Sequence, residues 1–277
     1  MRLGIHLPQI GRKAGPEAIR RAALQAETLG FADIWVSEHV ILPKGAPYPP
    51  SPAFLEPILT LTWAAAVTER VRLGTSVIVL PMHHPVPLAK QLASLQCLSG
   101  GRVIFGIGVG WLEAEFAALG APFRERGRRM DESIALMRAL WSDDPVSFAT
   151  RYVAAEIKEM RMQPQPSAPI PIWAGGSSEP ALARAVRLCD GWHGSRLTPE
   201  KAAPIVERLR RERPEPDFAI SLRMGWDGKD RGELRERLAA YAAAGVGHIL
   251  AEPGDREIAD WLSSVEQIAR AAEGLAG

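Results

Sequence analysis

The run VRLGTSVIVLP, residues 71–81, decides how this chain is read. It is short, apolar and β-branched, with Arg70 before it and Pro81 and Pro85 closing it, so it predicts a buried strand. Gly74, Thr75 and Ser76 interrupt it where a core strand is normally greasy. A glycine inside a strand is either a plain weak spot or a bulge where another group closes on the backbone. The rest of the chain has to decide between the two.

Outward from this strand the pattern repeats. Residues 3–8 and 32–38 read as the first and second strands, and residues 16–29 between them carry Ile19, Ala22, Ala23, Ala26 and Leu29 at helical spacing, stopped by Gly30. Residues 39–55 form a loop with Pro43, Pro47, Pro49, Pro50 and Pro52; a loop so long in a compact domain is usually functional. Helices are expected over 57–68, 88–98, 128–141, 180–188, 199–211, 231–244 and 256–272. Strands are expected over 71–79, 103–109, 170–174, 191–195, 218–224 and 246–251. Residues 142–170 read as an irregular insertion with a short strand near Phe148, placed to shape a pocket. Eight strands alternating with helices in 277 residues predict one α/β domain, a (β/α)8 TIM barrel with short insertions at its C-terminal face.

Composition narrows the function. With 33 basic and 32 acidic residues the net charge is +1, which asks for neither nucleic acid nor an anionic membrane as partner. The sequence lacks a run of ~18 apolar residues and a useful signal-peptide core, so a cytoplasmic location is expected. Cys97 and Cys189 read as two free buried thiols, and without a cysteine–histidine cluster no metal site is expected. The adjacent His83 and His84 read as exposed turn residues; His6 and His193 read as structural histidines.

In a barrel the site lies at the C-terminal strand ends. The second strand ends Ser37-Glu38-His39. His39 is placed for acid–base work, though a polar strand end facing solvent would look the same. Glu38, on the opposite face, could orient nearby backbone. The fourth strand ends Gly106-Ile107-Gly108-Val109-Gly110, which is not a dinucleotide fingerprint because Trp111 stands where its third glycine belongs. Those glycines share a strand face; they leave room inside the barrel for a flat ring, or let a helix approach outside. After the fifth strand, Gly175-Gly176-Ser177-Ser178 opens a helix and offers either a phosphate site or an ordinary cap.

Taken in order, GFADIWVSEH (30–39), TERVRLGTSVIVLP (68–81), GGRVIFGIGVGWLEAEF (100–116), RGRRMDESIALMRALW (126–141) and IPIWAGGSSEPAL (170–182) resemble the luciferase-like superfamily of flavin and deazaflavin oxidoreductases over nearly the whole chain. The resemblance implies a (β/α)8 barrel and a non-proline cis peptide at Ser76–Val77 backing the cofactor ring. It further implies Gly108, Gly110 and Trp111 beside the ring, with Glu38 in the same cofactor shell. Gly175, Gly176 and Ser177 would lie at the phosphate, and His39 would be the proton donor or acceptor. The segments GTSV and GVGW look closer to the coenzyme F420 branch than to the FMN monooxygenases. Hydride transfer to or from a small organic substrate is therefore the expected activity, with reduced FMN and O2, or a non-catalytic flavin-binding barrel, as alternatives. Trp111 also stands where sugar-phosphate dehydrogenases of this branch carry an acidic glutamate, which argues against glucose 6-phosphate and for an apolar or flat substrate. A homodimer is expected from the same resemblance.

Overall fold

The computed structural model describes residues 1–46, 48–49, 51–255 and 257–275. Pro47, Pro50 and the expected helix start at Arg256 lie outside the described residues.

Eight parallel strands close on themselves: β1 (Arg2–His6), β2 (Asp33–Val36), β3 (Arg72–Thr75), β4 (Val103–Gly108), β5 (Ile172–Gly175), β6 (Gly191–Ser195), β7 (Ala219–Trp226) and β8 (His248–Pro253). Each pairs with the next, and β8 returns to β1 with Arg2 opposite His248. Helices α1 (Pro16–Thr28), α2 (Pro57–Ala65), α3 (Pro85–Leu98), α4 (Arg126–Ser142), α5 (Glu179–Leu188), α6 (Pro199–Glu212), α7 (Arg231–Ala243) and α8 (Ile258–Ala271) cover the outside. Proline stands in the first turn of five of these, α1, α2, α3, α5 and α6, where its missing N–H costs nothing. The chain is thus a TIM barrel.

The expected third strand is broken. After Thr75 the ladder to β4 stops and resumes at Ile78–Val79. Leu73 and Gly74 pair with Val103 and Ile104, whereas Ile78 and Val79 pair with Ile107 and Gly108. The chain advances four residues on one strand and three on the other, which is a bulge. The Ser76–Val77 peptide inside it is cis. Thr75 fills the gap with its side chain, donating from Oγ1 to the Gly106 carbonyl at 2.8 Å and accepting the Gly106 N–H at 2.9 Å.

The barrel interior is a small second core of Trp35, Ile104, Trp173, Ala219 and Leu250. The Trp35 indole is stacked at 5.1 Å on His193. A Cβ at Gly74 would land inside that indole, so Gly74 marks a close approach and not a weak spot. The main core lies between strands and helices.

The insertion corrects one expectation. It contains an antiparallel hairpin, Val146–Phe148 with Ile157–Met160, but none of its described residues lines the central cavity. The Glu132 carboxylate on α4 takes the N–H groups of Arg151, Tyr152 and Val153, and Arg129 donates to the Tyr152 carbonyl. These bonds hold the segment against the outer helices. No helix among the described residues is long and apolar enough to cross a membrane.

Candidate active site

A cavity of about 1480 Å³ opens at the C-terminal ends of the strands. Its wall includes Glu38, His39, Ser76, Val77, Gly108 and Gly175, with Gly110, Trp111 and Gly176 further out. Ser177 is exposed and is not in the wall.

The room left by the glycines is not empty. A Cβ on Gly106 would enter the Thr75 carbonyl oxygen. One on Gly108 would stand 2.6 Å from Val77 Cγ2, and one on Gly110 2.5 Å from Val79 Cγ1. The glycines therefore admit the bulge, not a ring directly and not a helix outside the barrel, although the short helix Glu113–Ala118 does bring Phe116 to 2.6 Å of the Gly110 position. Val77 Cγ1 also lies 3.3 Å from the Cβ position of Gly175. The Val77 side chain thus sits between two glycines as an apolar floor.

Polar groups fix this floor. The Ser76 carbonyl accepts from Ser37 Oγ at 2.9 Å and Arg223 Nη1 at 2.8 Å. Arg223 is held by Glu252 through two bonds of 2.6 and 2.9 Å. Glu38 accepts the Val79 N–H at 2.7 Å and bonds His83 Nε2 at 2.8 Å. Glu38 therefore braces the bulge from its far end, and His83 is a half-buried partner of that brace, not the exposed turn residue expected. Buried Gln9 ties this region to the loop before α2: it accepts the Ser37 N–H and donates to the Ser37 and Leu55 carbonyls at 2.9 and 2.8 Å.

His39 follows β2 and lies in the same wall. Its Nδ1 is 3.0 Å from Glu115 Oε2, and Glu115 Oε1 accepts the Val40 N–H at 2.6 Å. Glu115 is 2 % exposed on the short helix after β4. Burial alone would raise the pKa of its carboxyl; the His39 bond and the Val40 and Ile41 N–H groups outweigh that and hold it below the ordinary value. Sequence reasoning missed this residue as a functional one. Glu115 lies 76 positions from His39, and nothing in GWLEAEF sets it apart from Glu113; both read as near the site but out of register. Among the described residues nothing bonds His39 Nε2, so that nitrogen remains for the cavity. Phe54 and Trp111 stand edge-on to the imidazole at 5.3 and 6.2 Å, and Tyr48 tilts against Trp111 at 6.3 Å. Trp111 is thus an aromatic wall beside His39.

The glycine loop after β5 is fixed by Trp192, whose indole N–H donates to the Gly176 carbonyl at 2.7 Å. Gly176 has φ +104°, a conformation in which a side chain would be strained. Ser178 makes no side-chain cap, Pro180 has no N–H, and the N–H groups of Ala181 and Leu182 both bond the Ser178 carbonyl, so the donors left to an anion among the described residues are those of the loop, Gly176 to Ser178, and of Glu179. The fit to a flat cofactor with a phosphate tail is therefore good: an apolar floor at Val77, polar groups at its edge, and free N–H donors at one end.

His6 and His193 lie beneath the floor, buried and bonded, as structural histidines should be. Burial, then the Arg223 charge for His6 and the His248 and Arg223 charges for His193, pushes each down to about 3. Both stay neutral in the fold while an unfolded chain protonates them below about 6.5. Their contribution is complete above that value and is lost as pH falls toward 3, at about 1.4 kcal/mol per pH unit for each. The expected result is a melting temperature that drops by several degrees per unit as pH is lowered from about 6.5 to 4, read by circular dichroism. A flat profile over that range contradicts the neutral assignment.

With this geometry in view, the comparisons are decisive about family. Residues 1–274 match the luciferase-like monooxygenase family. The chain belongs to that family. A Mycobacterium tuberculosis protein of no stated activity is 32% identical over 205 residues, 70% of each chain. The F420-dependent glucose-6-phosphate dehydrogenase of Amycolatopsis mediterranei is 29% identical over 291 residues, covering 96% of this chain and 81% of its own. Among solved structures, an F420-dependent secondary alcohol dehydrogenase in complex with an F420–acetone adduct superposes with a TM-score of 0.78 at 17% identity, covering 96% and 98% of the two chains. Luciferase-like oxidoreductases of this kind use F420 or FMN, and this barrel has their fold.

Proposed function

We propose that this family member is a coenzyme F420-dependent oxidoreductase that transfers hydride to or from a small, apolar or flat organic substrate. The observation that carries the reading is the buried Glu115–His39 pair set in the same cavity as the Val77 floor. It joins an acid–base group to a surface suited to a ring. The names of the Amycolatopsis relative and of the alcohol dehydrogenase structure support F420 over FMN.

When bound, the deazaflavin supplies the carbon that gives or takes hydride. Val77 supports its ring. Backbone N–H groups of Gly176 and Ser177, with Gly175 leaving space, hold its phosphate, and Glu38 keeps the bulge in place. His39 takes the proton from a substrate hydroxyl or returns it to a carbonyl, and Glu115 holds the imidazole in register and stabilises its charged form. Trp111, Phe54 and Tyr48 give that end an aromatic side for the substrate. A tryptophan in place of a carboxylate disfavours the sugar phosphate used by the dehydrogenase relative.

Fluorescence quenching of the purified, cofactor-free chain tests this. F420 is expected to bind at micromolar concentration or tighter, and FMN at least about tenfold more weakly, a gap of about 1.4 kcal/mol. The reverse order replaces the reading by an FMN monooxygenase, to be checked by oxygen uptake. Binding of neither overturns it. The same preparation is expected to be a homodimer by sedimentation, with Leu59 and Trp63 of α2, 71% and 51% exposed, as the surface to be covered.

A further inference from the structure

Beneath the floor runs a chain of polar side chains that the proposed reaction does not use. Ser76 Oγ lies 2.8 Å from His193 Nε2, and His193 Nδ1 lies 2.8 Å from Ser221 Oγ. Ser221 Oγ lies 2.7 Å from His248 Nδ1, and His248 Nε2 lies 2.7 Å from Asp33 Oδ1. The five residues come from β2, the bulge, β6, β7 and β8, and none is more than 6% exposed. Ser76 and His193 border the cavity, whereas Ser221, His248 and Asp33 do not, and Asp33 lies at the opposite end of the barrel, at the start of β2.

We infer that these five residues form a one-proton relay between the cavity floor and the His248–Asp33 pair. The hydrogen-bond inventory of the links allows two complete states. A carboxylate only accepts, so His248 Nε2 carries a proton in both. With His248 neutral, its Nδ1 must accept from Ser221, Ser221 must accept from His193 Nδ1–H, and His193 Nε2 must accept from Ser76. Every donor then points toward Asp33, and Ser76 Oγ can only accept on its other side, where Arg223 Nη1 lies 3.4 Å away. With His248 charged, each link reverses: His248 Nδ1–H donates to Ser221, Ser221 to His193 Nδ1, and His193 Nε2–H to Ser76. The Ser76 hydroxyl then donates into the cavity.

The passage between states balances. A proton arriving on Ser76 Oγ displaces the serine proton to His193 Nε2, the Nδ1 proton of His193 passes to Ser221, and the Ser221 proton passes to His248 Nδ1. Four bonds to hydrogen form; three break within the chain and the fourth is the bond the incoming proton leaves on its acid in the cavity, a hydronium ion or a protonated buffer, so that one positive charge passes to the His248 ring, facing the Asp33 carboxylate. His193 stays neutral and changes tautomer.

The surroundings suit this. Burial opposes ionisation of Asp33, but His248 and Arg72 outweigh it and hold the carboxyl down at about 2, so it remains an acceptor. Arg72 donates to Asp33 Oδ2 at 3.2 Å, the Trp35 indole N–H bonds Oδ1, and Arg2 lies in the field of the same carboxylate. At the other end Arg223, paired with Glu252, donates to Ser37 and the Ser76 carbonyl, and His6 bonds Ser37.

Two-bond ¹H–¹⁵N correlation spectra of the histidine rings in the full, ¹⁵N-labelled, cofactor-free chain test the relay from about pH 8 to about pH 5. The expected result is that His193 moves from its Nδ1–H to its Nε2–H tautomer with the same midpoint at which His248 gains its second proton. In Ser221→Ala, which removes the link between the two rings, the His193 tautomer no longer follows the state of His248. A His193 that keeps one tautomer while His248 titrates overturns the relay, as does a His248 that takes no second proton before the chain unfolds, or an alanine variant that remains coupled. The wild-type spectra decide the matter even if the variant does not fold.

Discussion

Replacing His39 by alanine is expected to lower kcat by about 10²- to 10⁴-fold while leaving F420 affinity within a factor of about three. The imidazole lines the cavity through Nε2 and is anchored behind by Glu115 at 3.0 Å, so its removal takes away a proton carrier and not the cofactor floor. Glu115→Gln keeps the shape but loses the carboxylate, and is expected to cost about tenfold in kcat, again with little change in cofactor binding. Steady-state rates, followed at the cofactor absorbance with any alcohol or carbonyl compound that supports turnover, check both. If His39→Ala retains its rate, the acid–base role is wrong. If Glu115→Gln is as damaged as His39→Ala and also loses cofactor, Glu115 serves the fold of the wall instead.

The second large effect is structural. Gly106→Ala is expected to lose more than about 4 kcal/mol of stability, enough to lower the melting temperature by more than about 10 °C or to prevent folding. The added Cβ enters the Thr75 carbonyl oxygen and comes to 3.0 Å of its carbon, and backbone in a closed barrel cannot step aside. Gly108→Ala meets only Val77 Cγ2, at 2.6 Å, which is the end of a side chain that can shift. It is expected to cost about 1–3 kcal/mol and to weaken cofactor binding, because the floor itself moves. Gly225→Ala, with nothing within 4 Å of its Cβ position, is expected to stay within about 0.5 kcal/mol of the parent. Denaturant titrations of the three variants give the order directly. Equal losses at Gly106 and Gly225 would mean that barrel packing does not set the cost.

The same comparison shows why some of the site could be read in advance and some could not. His39 and the glycines of the fourth and fifth strand ends were legible, because strand ends are marked by local turn residues and a barrel puts its site there. The purpose of the glycines was not. Their alternation shows that a strand face is bare, but what fills it belongs to the neighbouring strand, and a one-residue bulge changes which side chain that is. Trp111 was legible as an aromatic wall, whereas its edge-on stand against His39 depends on two strand-end loops meeting.

The sequence by itself determined the barrel and its family. Short apolar runs, helical spacing and prolines at helix starts are local signals, each complete within about fifteen residues, and their eightfold alternation leaves little choice of architecture. Only the tertiary structure decided the chemistry of the interior. Closure brings β8 against β1 and sets Asp33 beside His248, 215 positions apart, and His193 beside Ser76, 117 positions apart. It likewise delivers Glu115 to His39 and draws the insertion away from the cavity to the outer helices. Such contacts depend on strand register and side-chain direction around a closed ring, which no local stretch of sequence records.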